Sequence, residues 1–330
     1  MRFAMAGAAM LSKLLCKDLR TPNLRPPRRK PRPVSPWTGL CAFPITPADA
    51  AGRVDTAGVR RLVERLLEAG VDSIGLLGST GTYAYLDRHE RRRAVEAAAE
   101  VVAGRVPLLV GVGALRTDDA VGLAADAGGA GATAGLLAPM SYTPLTDDEV
   151  AEHYAVVARE GGLPLCLYDN PATTHFRFDP ALLGRIARLP GLAAVKVPAG
   201  PAETVAGEVA TLRSVLPDGI VLGCSGDWFA AGALMAGFDT WYSVAAGLFP
   251  TPCLRLARAV QAGDVASARA LDKELQPLWA LFRAHSSLRV MLAAARLMGL
   301  CSPVPPRPLL PLPASVEGEV AVVLDRLALR

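Results

Sequence analysis

A chain of 330 residues can form one large α/β domain or two ordinary ones, burying roughly three quarters of the surface its unfolded form exposes. With 51% hydrophobic and 20% charged residues, the composition is that of a globular enzyme and excludes a fibrous or wholly disordered chain. The net charge of +4 arises in residues 1–35, where nine Lys/Arg face one acid, Asp18, so the remainder is slightly acidic and offers no basic stripe to nucleic acid.

Residues 1–35 read as a disordered basic tail. Phe3–Leu11 is a short apolar stretch, but Ser12-Lys13 follows it in place of a small-residue cleavage site, so export is not expected. Arg25–Pro33 is Pro/Arg-rich and extended, with no apolar periodicity to join a core. No segment is long and apolar enough to span a bilayer, and no membrane partner is expected.

From about residue 37 a strand–helix alternation repeats eight times. The strand-like runs are Gly39–Pro44, Ser73–Gly78, Pro107–Gly113, Thr133–Pro139, Pro164–Tyr168, Leu192–Val197, Ile220–Gly223 and Trp241–Ala245. Each is apolar throughout, as parallel strands covered on both faces must be. Between them lie amphipathic stretches such as Asp55–Ala69, Asp87–Ala103 and Thr146–Arg159, the last opened by a capping box, Thr146-Asp-Asp-Glu149. Eight such units predict a closed (β/α)8 TIM barrel over residues 36–263, and no GxGxxG follows the first strand to suggest a dinucleotide fold. Three further helical stretches, Val265–Phe282, Ser287–Met298 and Val316–Leu327, form a C-terminal helical appendage over 264–330. The six cysteines are dispersed without a CxxC pair, which suits a reducing cytoplasm.

In such barrels function collects at the C-terminal ends of the strands. The chain carries 30 arginines and five lysines, and Lys13, Lys17 and Lys30 lie in the tail. Lys273 sits in a polar helical stretch, whereas Lys196 ends the apolar run beginning at Gly191. Charge alone would be met here by arginine; an amine that can lose a proton and attack a carbonyl cannot. The fifth strand ends in Tyr168, 28 residues and one βα unit earlier, so phenol and amine meet at one barrel mouth. Such a pair can move the protons that imine formation requires. The second strand ends in Gly78-Ser79-Thr80-Gly81-Thr82, whose hydroxyls and open N–H groups can hold a carboxylate. His89, His153, His175 and His285 show no metal-ligand spacing. Arg91–Arg93 reads as a solvated helix face, and Asp118-Asp119 and Asp147-Asp148 as helix-start capping residues.

Gly39–Pro47, Gly78-Ser-Thr-Gly81, Pro139-Met-Ser-Tyr142, Tyr168-Asp-Asn-Pro171, Val195-Lys196, Ser243 and the tail motif Pro306–Leu312 stand in one order. Together, over about residues 37–328, they resemble the dihydrodipicolinate synthase/N-acetylneuraminate lyase family of Schiff-base pyruvate aldolases. The resemblance implies that Lys196 forms the imine, that Tyr168 relays protons, and that Ser79 and Thr80 bind the carboxylate of the 2-oxo acid. It implies that the backbone of Tyr242 closes over the bound pyruvate, that an aldehyde is the second substrate, that no cofactor is used, and that the protein is a homotetramer. Three positions depart from the family pattern. Thr82 stands in place of a glutamate, and Ser141, with Tyr142 beside it, in place of a tyrosine, which leaves the third relay member open. Thr173 stands where the synthases carry an arginine, with Arg177 and His175 the nearest substitutes, so condensation with aspartate semialdehyde is expected to be poor. The alternatives are a dehydratase of a 2-oxo-deoxy sugar acid using the same lysine, a catalytically silent binding barrel, and, more remotely, a metal-dependent aldolase.

Overall fold

Eight apolar runs become eight parallel strands in the computed structural model, which describes residues 37–330. The expected tail over 1–35 lies outside the described residues. The strands are β1 (Gly39–Ala42), β2 (Ser73–Leu76), β3 (Leu108–Gly111), β4 (Ala134–Leu137), β5 (Leu165–Tyr168), β6 (Leu192–Pro198), β7 (Val221–Ser225) and β8 (Thr240–Ser243). They pair in sequence order, and β8 closes on β1 to complete the barrel. Several strands end before their apolar run does, and residues just past their ends, such as Phe43 and Gly78, build the barrel mouth.

The helices between them are α1 (Thr56–Ala69), α2 (Arg88–Val102), α3 (Thr117–Gly129), α4 (Asp147–Glu160), the single turn α5 (Pro171–Thr174), α6 (Pro180–Ala187), α7 (Val205–Val215), α8 (Ala230–Ala236) and α9 (Pro250–Gln261). Local chemistry sets their starts. The Asp55, Asp87 and Asp179 side chains accept from the N–H groups of Gly58, Glu90 and Leu182, and the capping box of Thr146 and Glu149 is formed. Asp147 and Asp148 lie in the first turn after that cap and Asp118 and Asp119 in the first turn of α3, so these four face the helix dipole without capping.

The barrel has two apolar shells. The outer one packs strands against helices, while an inner cluster of Cys41, Phe43, Leu109, Leu136, Cys166, Tyr168 and Tyr242 fills the interior. Two strand glycines admit its rings. A Cβ on Gly75 would lie 2.1 Å from Phe43 Cζ, and one on Gly223 would lie 2.0 Å from Tyr242 Cε2. An alanine at either position would force the ring aside, at roughly 1–3 kcal/mol. Burial pushes the Cys41 and Cys166 thiols up to about 12, so both behave as small protonated hydrophobes.

Arg91 corrects the expected solvated face. It lies on the inward stripe of α2 with Ala94, Val95 and Ala98, is buried, and donates to the carbonyls of Gly111 at 2.8 Å and Gly113 at 3.1 Å. These carbonyls lie at and just past the end of β3, and a carbonyl's two lone pairs let each accept from the guanidinium. Its guanidinium also stands 5.2 Å from the Tyr83 ring centroid, and burial pulls its pKa down to about 10.

After the barrel come α10 (Val265–His285), α11 (Ser287–Leu297) and α12 (Ala314–Arg326). Helix α10 packs on α8 and α9, and α11 lies between α10 and α12. All described residues belong to one compact unit.

Candidate active site

The strand ends open into a cavity of about 580 Å³. Lys196, Tyr168, Ser79, Thr80, Ser141, Thr173 and Tyr242 all line it, so seven of the eight residues expected there are brought together. Tyr142 is not among them. It is 97% exposed, because Met140 and Ser141 fill the inward positions at the end of β4 and the chain then turns outward. Neither His175 nor Arg177 lines the cavity.

Register puts the two central residues side by side. Tyr168 pairs with Lys196 across β5 and β6, and the Asp169 N–H donates to the Lys196 carbonyl at 2.9 Å to hold that pairing. The Lys196 side chain is buried, with Nζ 4.1 Å from the ring centroids of both Phe43 and Tyr168 and 5.6 Å from that of Tyr242. It forms no salt bridge or hydrogen bond with another described residue. Three aromatic faces therefore surround the amine and leave its nitrogen open toward the cavity.

The Tyr168 hydroxyl accepts from Asn170 Nδ2 at 2.8 Å and lies 3.5 Å from Ser79 Oγ. An accepting bond from Asn170 leaves the phenol proton free to be donated toward Ser79 or a bound ligand. Ser79 and Thr80 sit on the turn after β2, which Leu77 enters with a left-handed φ of 55°. That conformation costs about 1–2 kcal/mol for a residue with a side chain, and it is held because Gly111 leaves room for the Leu77 carbonyl.

Asp227 closes the floor. Its buried carboxylate accepts from Trp241 Nε1 at 2.8 Å and the Ala245 N–H at 2.9 Å, joining the ends of β7 and β8. Tyr242 is buried, edge-on to Phe43, with its hydroxyl 3.5 Å from Cys166 Sγ. Thr173 lies at the rim and spends its hydroxyl on the Asn170 carbonyl. Among the described residues no group of three or more His, Cys, Asp or Glu could hold a metal ion.

Sequence reasoning missed Phe43, Tyr83, Asn170, Asp227 and Arg289, which also line the cavity. Asn170 and Asp227 were within reach, since each follows a strand end by two residues. Phe43 reads as core, and Tyr83 and Arg289 carry no local signal.

Asp169, next to Tyr168 in the chain, gives the fold a pH-dependent stability. Burial pushes its carboxyl up to about 6, with Arg177 and the Phe178 N–H acting in the opposite sense. The folded value lies above the ordinary 3.8, so the fold favours the protonated acid. The stability this contributes is whole below about pH 4 and is lost as the pH rises through 6. Asp169→Asn is therefore expected to raise the melting temperature relative to the parent at pH 7 and not at pH 4. A difference independent of pH across thermal melts in that range would refute this.

A barrel that gathers an unpaired lysine, a tyrosine and a hydroxyl loop at its mouth has the arrangement of lyases that engage carbonyl compounds. A sequence profile described as the Dihydrodipicolinate synthetase family matches residues 36–327, and the chain belongs to that family. It is 36% identical over 233 residues to the 4-hydroxy-tetrahydrodipicolinate synthase of Methylococcus capsulatus, covering 71% of this chain and 79% of that protein. To the enzyme of the same name from Hyphomonas neptunium it is 34% identical over 270 residues, covering 82% and 91%. The crystal structure of a dihydrodipicolinate synthase from Agrobacterium tumefaciens superposes with a TM-score of 0.87 at 53% identity, covering 88% of this chain and 98% of that one. The protein is accordingly a lyase of this family. The dehydratase and silent-barrel alternatives are not favoured.

Proposed function

We propose that the enzyme forms a Schiff base between Lys196 and pyruvate or a related 2-oxo acid and joins it to, or cleaves it from, an aldehyde. The observation that carries this reading is the unpaired Lys196 amine, enclosed by Phe43, Tyr168 and Tyr242 and beside the Asn170–Tyr168–Ser79 chain. In the proposed step Nζ attacks C2 of the 2-oxo acid to give a carbinolamine. Tyr168 protonates the departing hydroxyl, water leaves, and the imine remains. Ser79 and Thr80 hold the carboxylate through hydroxyl and backbone N–H donors. The protonated imine is itself the electron sink, so this chemistry draws on no cofactor. The Tyr242 backbone borders the bound three-carbon unit, and Thr173 and Ser141 border the second substrate. Borohydride reduction with a panel of 2-oxo acids, read by intact mass, tests the reading and ranks the acids together.

We further infer a homotetramer in the reducing cytoplasm. Tyr142 and Leu115, 97% and 63% exposed on loops after β4 and β3, supply apolar surface that assembly would cover. Five free cysteines, Cys41, Cys166, Cys224, Cys253 and Cys301, are buried. Among the described residues no helix is long and apolar enough to cross a membrane. Light scattering is expected to give the mass of four 34.5 kDa chains, and Tyr142→Arg to shift it downward. A single-chain mass for the parent would remove the assembly from the proposal.

A further inference from the structure

Three residues of the ionisable kinds line the cavity: Lys196, Asp227 and Arg289. Lys196 is the reactive amine of the proposal, and Asp227 is engaged by Trp241 and Ala245. Arg289 is half-buried on α11 and makes no hydrogen bond or ion pair with any described residue. This contrasts with the buried Arg91, whose guanidinium is held by two carbonyls. The five donors of Arg289 have no partner among the described residues on the cavity wall, so an anion entering the cavity can take them. Its planar fork matches a carboxylate in two-point contact.

The surroundings suit that ligand. Ser286 and Ser287 line the cavity next to Arg289 and add hydroxyl donors, while Leu288 and Leu309 line the same wall with apolar surface. Thr173, at the rim on α5, brings no charge, and its hydroxyl is already used. A space of about 580 Å³ is far larger than a three-carbon acid needs, so the wall beyond the imine must meet the rest of the ligand.

We propose that Arg289, with Ser286 and Ser287, forms a distal carboxylate subsite that selects an acid-bearing second substrate. The complete adduct on Lys196 is then a 2-oxo acid with a second carboxylate at its far end. This deepens the proposed function and rests on it for the near end, where Lys196 and the Ser79–Thr80 turn take the 2-oxo acid. The cationic clamp thus comes from the C-terminal helical part and not from the segment after β5.

The probes are 2-oxoadipate and 2-oxohexanoate, which share a six-carbon chain and differ in the far carboxylate. Calorimetric titration of the parent, Arg289→Gln and Arg289→Lys is run beside borohydride trapping with pyruvate. The parent is expected to bind the dicarboxylate at least tenfold more tightly than the monoacid, as one charge-assisted contact implies. Arg289→Gln should lose that preference by roughly ten- to a hundredfold, with the monoacid and pyruvate trapping unchanged, and Arg289→Lys should restore part of it. An unchanged preference in Arg289→Gln, or none in the parent, overturns the subsite. Absent trapping with an Arg289-dependent preference would overturn the imine and leave the subsite standing. Intact trapping without the preference would do the reverse.

Discussion

Lys196→Ala is expected to abolish the borohydride adduct with every 2-oxo acid and to reduce turnover roughly a millionfold, the scale on which loss of a covalent nucleophile is felt. Lys196→Arg should fail as completely, although it keeps the charge and much of the length. A guanidinium stays protonated at every working pH and cannot become an imine. The arginine would also have to fit its larger fork among Phe43, Tyr168 and Tyr242, whose rings already lie 4.1–5.6 Å from Nζ. Peptide mapping of the reduced parent should place the adduct on Lys196. An adduct on Lys273, or on none of the lysines, would sink the covalent reading and leave the cavity to be explained as a binding site.

Tyr168→Phe should separate binding from chemistry. The ring is kept, so the aromatic wall beside Lys196 survives and 2-oxo acids should still be captured at equilibrium. The hydroxyl between Asn170 Nδ2 and Ser79 Oγ is lost, and with it the acid proposed to remove water from the carbinolamine. Turnover is expected to fall by roughly two to four orders of magnitude, the usual scale of general acid–base help. Asn170→Ala, which leaves the phenol but frees its orientation, should give a smaller fall. Parent turnover in Tyr168→Phe would mean that protons travel by another hydroxyl. Tyr142 cannot supply it from its own chain, being 97% exposed; Tyr83 lines the cavity, and burial raises its phenol to about 12.

The barrel was legible because its signals are short-range. Short continuous apolar runs alternating with amphipathic stretches read as parallel strands covered on both faces, and Asp55, Asp87, Thr146 and Asp179 mark helix starts through bonds spanning three residues. Lys196 and Tyr168 stood out for a similar reason, since a strand end in a parallel barrel points to the same mouth whichever strand carries it. Arg91 and Tyr142 show where that logic stops. Arg91 was judged by its neighbours in sequence and Tyr142 by its place in a family motif, whereas exposure is set by which way a helix stripe or a loop faces. Arg91 lies on the inward stripe of α2, where the carbonyls of Gly111 and Gly113 accept from its guanidinium.

Fold class, strand order, and the meeting of one lysine and one tyrosine at neighbouring strand ends were determined by the sequence itself, through periodicity, composition and spacing along one chain. The tertiary structure alone decided what surrounds them. The aromatic enclosure of Lys196 draws on β1, β5 and β8, and its rings fit only because Gly75 and Gly223 on other strands are bare. Arg289 lies 93 residues beyond Lys196, in a helix with no catalytic motif, and reaches the cavity only because α10 and α11 fold back over the barrel mouth. Such contacts depend on packing between distant segments, and no local pattern encodes a partner so far away in the chain.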